Sequence, residues 1–343
     1  MHRPSPRPAV ALAAALALGL TACSVEDPDA PSATTEGTDA ADVDQASEDA
    51  ATTASDPADQ TGDDPASAGG FPVTVDADNG EVTIERRPER IVSLSPSSTE
   101  ILFAIGAGEQ VVAADQFSTY PAEAPTTDLS GFDPNVEAIV AYEPDLVVIA
   151  TDSNDLVASL DELGIPVLAQ DAPADVEAGY DLVAGLGQAT GHVDETAALV
   201  EQMRAEMEEA LASADGAEGV RVYHELDETF FSASSASFIG SIYTELGAEN
   251  VADEADTEGT GYPQLTEEAV IEANPQVIVV TDQVSYTAED VAARPGWDQV
   301  DAVREGNIVT VDSDIASRWG PRLPQLVRAL AEALAEAAVP AGR

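Results

Sequence analysis

The sequence predicts an α/β fold of two βα lobes with mainly parallel sheets, joined by one long backbone helix. Three observations lead there. Short aliphatic runs alternate with helix-like segments from about residue 90 onward, the signature of parallel strands covered by helices. One stretch of the first half returns in pattern in the second. A single uninterrupted helical period separates the two halves.

The chain has 343 residues, and its ends stand apart from this scheme. In residues 1–22, Arg3 and Arg7 precede an apolar run at 9–20. That run is too short to cross a hydrocarbon layer of ~30 Å as a helix and has the form of a secretory signal. It closes on Leu20-Thr21-Ala22-Cys23, which holds the only Cys of the chain. The tetrad resembles the bacterial lipobox, whose Cys becomes the acylated first residue. Lipid on Cys23 would anchor the protein to the outer face of the cell membrane. Residues 23–70 then carry 13 acidic and no basic residues among Ser, Thr, Pro, Gly and Ala. Such a segment buries too little apolar surface to offset its chain entropy, so it is expected to be a disordered, self-repelling tether.

In the first lobe, residues 71–190, strands are expected at 90–96, 111–114, 145–150 and 165–168. The run at 145–150 has the continuous aliphatic character of a strand buried on both faces. Helices are expected at 97–106, capped by Ser97 or Ser98, and at 156–164, ending on a Gly. The glycine-rich stretch 184–191 reads as a break. In the connecting segment, residues 191–214, apolar positions 197, 199, 200, 203, 207, 210 and 211 keep a helical period. A helix of that length spans ~30 Å. In the second lobe, residues 215–343, strands are expected at 220–224, 276–281 and 308–311, and helices at 237–246 and 323–337.

The internal echo is specific. Glu137 lies seven residues before Pro144, and an aliphatic strand follows; Glu268 lies seven residues before Pro275, and again an aliphatic strand follows. The prolines are explained by helix arrest. The recurrence of the Glu implies two lobes of like design, each presenting one carboxylate in a matching place.

Composition excludes several functions. Lys+Arg 13 against Asp+Glu 65 gives a formal net charge of -52, and every basic residue is Arg. Nucleic acid and anionic lipid are unsuited to such a surface. One Cys and three His leave no multi-Cys or His-based metal site, and no cofactor is expected. The charge balance also suits an exported protein adapted to salt.

Several motifs carry a family resemblance. The segment Thr83-Ile84-Glu85-Arg86-Arg87-Pro88-Glu89-Arg90-Ile91-Val92-Ser93-Leu94-Ser95-Pro96-Ser97-Ser98-Thr99-Glu100-Ile101-Leu102, then Pro144-Asp145-Leu146-Val147, Leu163-Gly164-Ile165-Pro166-Val167 and the stretch from Ser313-Asp314 through Gly320-Pro321-Arg322-Leu323 resemble landmarks of the solute-binding lipoproteins of ABC importers for ferric siderophores, haem and vitamin B12. The likeness covers residues 73–334 and is greatest to the cobalamin-binding and hydroxamate-siderophore branches. It implies a monomer that holds a metal chelate (a corrinoid, a ferric siderophore or haem) in a cleft between the lobes and passes it to an ABC permease. By the same resemblance Glu137 and Glu268 dock on the permease. Phe117, Tyr120 and Phe132 would line the first-lobe side of the cleft, with Phe231, Tyr262, Arg318 and Trp319 on the second. Aromatic faces suit large planar ligands, and a guanidinium suits a ligand carboxylate or phosphate. Catecholate binders gather several cations; here only Arg318 and Arg322 are candidates, which points to a neutral or weakly charged ligand. Ala150 stands where the B12 binders have an aromatic residue.

Enzymatic readings find little support. There is no P-loop, dinucleotide fingerprint or GxSxG, and His224 ends a strand far from any nucleophile motif. A chelatase-like tetrapyrrole enzyme and an extracellular sensor without a permease are the competing readings.

Overall fold

The computed structural model describes residues 70–173 and 175–339. The signal segment 1–22, Cys23 and the tether up to residue 69 lie outside the described residues.

An antiparallel hairpin opens the fold, β1 (Val73–Ala77) with β2 (Gly80–Ile84). Its turn residue Asn79 bonds the backbone of Val167 and Ala169 and ties it to the first sheet. That sheet comprises β3 (Ile91–Leu94), β4 (Val111–Ala114), β5 (Leu146–Ile149) and β6 (Val167–Ala169), all parallel, in the order β4-β3-β5-β6. Every residue of β3 and β5 is buried, as a sheet covered on both faces requires. Helix α1 (Pro96–Ala104) starts earlier than expected: Ser95, not Ser97 or Ser98, is its cap, accepting from the Ser98 amide. Pro96 occupies the first turn, where its missing N–H costs nothing. Helices α2 (Val136–Val140) and α3 (Leu156–Asp161) complete this half.

Two long helices follow, α4 (Val176–Thr190) and α5 (Val193–Ala212). The stretch 184–191 is therefore not a break but the second half of α4. The chain turns only at Gly191, whose φ is +77°. The glycines that weaken the helical reading serve packing. At Gly179 a Cβ would stand 1.8 Å from the Trp319 ring.

The second sheet holds β7 (Arg221–Glu225), β8 (Glu249–Asn250), β9 (Val277–Thr281) and β10 (Ile308–Val311), in the order β10-β9-β7-β8. Read from its other edge, β8-β7-β9-β10, it repeats the first sheet strand for strand. Around it lie α6 (Phe238–Glu245), α7 (Glu267–Ala273), α8 (Ala288–Ala292), α9 (Asp301–Glu305), α10 (Ser313–Ala316) and α11 (Leu323–Ala338). The fold class is the one predicted: parallel-sheet α/β in two lobes.

One apolar core runs through both halves. It passes from Ile101 and Leu102 of α1, through Met203, Met207 and Ala210 of α5, to Leu326, Val327 and Leu330 of α11. Helix α5 is thus a strut with α4 on one side and α11 on the other. Shared burial on this scale favours small rocking over wide hinge opening.

Candidate functional site

The carboxyl edges of the two sheets meet at a seam. The loop after β4 touches the segment after β10: Thr119 Oγ1 donates to Asp314 Oδ2 at 3.1 Å, and Arg318 Nη2 donates to the Phe117 carbonyl at 3.0 Å. Open α/β sheets bind ligands at this edge, because the loops that leave the strands converge there.

Phe117, Tyr120, Phe132, Phe231 and Tyr262 are the exposed aromatic side chains among the described residues. All five sit on loops leaving the carboxyl ends of β4, β7 and β8. On the first lobe the Phe117 and Phe132 rings meet edge to face at 5.5 Å. Buried Asp115 organises this pair, because it accepts from the Phe117, Ser118 and Gly131 amides and from the Ser118 hydroxyl at 2.6 Å. Burial nevertheless pushes the Asp115 carboxyl above its usual range. Gly131 lets Phe132 leave the sheet at this point, since a Cβ there would lie 2.3 Å from the Leu94 carbonyl. On the second lobe, Phe231 pairs across an antiparallel bridge with Gln264, which brings its loop beside that of Tyr262. Phe230 takes a left-handed φ of +65° and stacks inward on Trp297, while Phe231 faces outward. Each of the five side chains is open to solvent, from 38% exposed for Phe231 to 80% for Phe132. Cavities of about 460 and 340 Å³ lie elsewhere, around Phe103 and Val111 and around Tyr180 and Met207.

Two expected cleft residues are placed differently. Trp319 is only 4% exposed. Its ring nests on Gly179 and meets Tyr180 edge to face at 5.6 Å. Apolar packing against α4 takes it out of the cleft and makes it a peg between the lobes, with its buried Nε1 left unpaired. Arg318 lies at the seam but is occupied: it pairs with Asp314 at 2.7 Å and reaches Glu100 at 3.4 Å. Arg322 grips the same buried Glu100, with Nε donating to Oε2 at 2.8 Å and Nη2 to Oε1 at 2.5 Å. Its guanidinium covers one face of the Tyr120 ring at 4.1 Å. The hydrogen bond to Glu100 raises the Arg322 pKa further above its ordinary value.

Glu137 and Glu268 are both exposed and both stand at the second position of a capped helix. Asn135 caps α2 through the Ala138 amide, and Thr266 caps α7 through the Ala269 amide. The far ends match as well. Arg90 donates to the carbonyls of Tyr142 and Glu143, and Arg221 donates to those of Ala273 and Asn274. Glu143 and Asn274, each followed by a Pro, adopt left-handed φ values of 50° and 47°. A helix returning to a parallel strand begins at the carboxyl edge of the sheet, so each Glu flanks the seam on its own lobe.

His224 is packed in the core, with Nδ1 2.7 Å from the Tyr243 hydroxyl; burial lowers its pKa to about 4. Among the described residues no three His, Cys, Asp or Glu side chains converge as for a metal, and no helix is long and apolar enough to cross a membrane.

Residues 91–315 match the family model described as periplasmic binding protein. An ABC transporter substrate-binding lipoprotein of Bacillus subtilis is 33% identical over 77% of this chain and 86% of its own length. The chain belongs to the periplasmic binding protein family. A cobalamin-binding protein of Halobacterium salinarum is also 33% identical, over 77% of this chain and 74% of its own. A periplasmic haem-binding protein of Roseiflexus in its apo form superposes with a TM-score of 0.65 at 27% identity, covering 73% of this chain and 99% of that one.

Within this periplasmic binding protein, sequence reasoning passed over Glu100, Asp115 and Asp314 as site residues. Glu100 is an acid within a turn of α1 that is buried all round, with Ser98, Thr99, Ile101 and Leu102 also buried. Such a charge needs a cation, and with so few basic residues Arg318 and Arg322 were the available partners.

Proposed function

We propose that this protein captures a bulky metal chelate, a corrinoid, ferric siderophore or haem, at the aromatic seam and delivers it to an ABC permease. The reading is supported chiefly by five exposed aromatic side chains on loops that leave the carboxyl ends of the strands. Such rings stay in water only at a cost that a large apolar ligand relieves. The named relatives, which bind cobalamin and haem, support the same ligand class. Calorimetric titration with cyanocobalamin, haemin and a ferric hydroxamate tests it. At least one should bind at micromolar affinity or better (roughly −8 kcal/mol), and Phe132→Ala with Tyr262→Ala should weaken it without lowering the melting temperature. Failure of all three to bind would overturn the reading.

Glu137 and Glu268 are the proposed docking carboxylates, one per lobe, each forming an ion pair with a permease cation and so fixing the register. Glu137→Ala combined with Glu268→Ala should leave chelate binding intact and abolish uptake; uptake by the double variant would refute the assignment. Acylation of Cys23 is the proposed anchor on the outer face of the membrane. Cys23→Ser should move the protein from the membrane fraction to the medium, and retention in the membrane would refute it.

A further inference from the structure

Around the seam, every arginine that adjoins an exposed aromatic residue is already neutralised. Arg318 is held by Asp314, Glu100 and the Phe117 carbonyl. Arg322 is held by Glu100 and lies flat on Tyr120, with Asp312 contributing further negative charge. Two guanidinium groups thus face two carboxylates at contact distance and a third nearby. The other arginines of the described residues are spent elsewhere, on Asp145, Glu177, Glu225, Asp301 and Glu209 or on backbone carbonyls and His192. The chain as a whole carries a net charge of -52 and no Lys. A ligand bearing carboxylates therefore meets a repulsive field and, among the described residues of the seam, finds no free cation to offset its desolvation.

We propose that Glu100 and Asp314 are specificity-determining residues: by occupying Arg318 and Arg322 they restrict the seam to neutral or cationic chelates and exclude anionic ones. This rests on the ligand reading above and adds to it the charge class of the ligand and the residues that set it. Asp314 is the more telling of the two, because its carboxylate is partly solvent-exposed and can be neutralised without opening the core. Its removal leaves Arg318 with one loose acidic partner at 3.4 Å and free to turn toward a ligand.

The test uses pairs of chelates with one metal core and different charge: cyanocobalamin against its monocarboxylate, and ferrioxamine B against its N-succinyl derivative. Whichever core binds, wild type should prefer the neutral or cationic member by roughly tenfold, with the gap shrinking as salt rises. Asp314→Asn should close most of that gap by tightening the anionic member, and Glu100→Gln should act in the same direction if it folds. Adding Arg318→Ala to Asp314→Asn should restore the gap, which a merely structural role for Asp314 would not produce. Equal wild-type affinity for both members, or an unchanged gap in Asp314→Asn at equal melting temperature, overturns the charge assignment alone. Binding of haemin, which carries two carboxylates, without binding of either core overturns this proposal alone; failure of haemin and both cores overturns the ligand reading and this proposal with it.

Discussion

Gly179→Ala isolates the contact that holds the lobes together. Within a helix this exchange ordinarily stabilises by ~1 kcal/mol. Here the new methyl would stand 1.8 Å from Trp319 Cε2, 2.1 Å from Cζ2 and 2.4 Å from Nε1. The ring is buried and rigid, so the overlap cannot be relieved by a side-chain swing, and overpacking of this kind costs about 1–3 kcal/mol or more. With the clash at the upper end of that range, the net effect is destabilisation by ~2 kcal/mol. For a body of this size that lowers the melting temperature by roughly 4–8 °C. Gly185→Ala on the same helix is the control, because its nearest neighbour would be Val75 Cγ1 at 3.4 Å, an ordinary contact. It should stabilise by up to ~1 kcal/mol. Urea unfolding of both variants, repeated in a Trp319→Leu background, gives a coupling energy. Gly179→Ala should change sign there, with ~2–3 kcal/mol of interaction between the two sites. If Gly179→Ala stabilises as Gly185→Ala does, Trp319 does not nest on α4 and its place as the inter-lobe peg is refuted.

Two further outcomes follow from buried charge. Arg294 makes a bidentate pair with fully buried Glu225 at 2.7 Å, so Arg294→Ala strands a carboxylate in the core and should cost about 3–5 kcal/mol, read by denaturant unfolding; a loss under 1 kcal/mol would contradict the buried pair. His224 stays neutral in the fold down to about pH 4, whereas the unfolded chain takes up its proton near 6.5. Its contribution is whole above pH 6.5 and is lost as pH falls toward 4, ~3 kcal/mol in all. His224→Asn should lose that much less stability than wild type across this window.

Much of the scaffold was legible because it is written locally. Strands β4 and β10 fall on the expected residues, and β5, β7 and β9 within one residue at each end, because a buried parallel strand is a short aliphatic run with clear edges. Helix α4 was hidden, since Gly179, Gly185 and Gly187 imitate a loop. Only the packing of distant Trp319 on Gly179 and of Thr196 from the next helix on Gly187 reveals why these two must be glycine. The β1–β2 hairpin had its own signal, the alternation Val73, Val75, Val82, Ile84 around Asn79-Gly80. At the seam, sequence spacing could mark Arg318 and Trp319 as neighbours of interest. It could not tell an open indole from a buried one, because α4 of the other lobe buries it, nor a free guanidinium from one shared between Asp314, four residues back, and Glu100 and the Phe117 carbonyl of the other lobe.

The duplication of the lobes is uneven, and the unevenness separates the proposed tasks. Equivalent residues keep a constant offset from Arg90 to Arg221, Glu137 to Glu268 and Pro144 to Pro275. Sheet register follows, with Ile91 opposite Leu146 and Val222 opposite Val277. The helix bearing each proposed docking Glu thus has the same N-cap geometry, arginine clasp and exit turn. The correspondence fails at β4 and β8, whose following loops carry Phe117, Tyr120, Phe132 and Tyr262. A docking face must present two carboxylates at a fixed spacing, which a repeated rigid unit on a shared strut achieves. A ligand face must fit an asymmetric chelate, which requires the two sides to differ. The fold keeps its symmetry beneath the glutamates and gives it up in the aromatic loops.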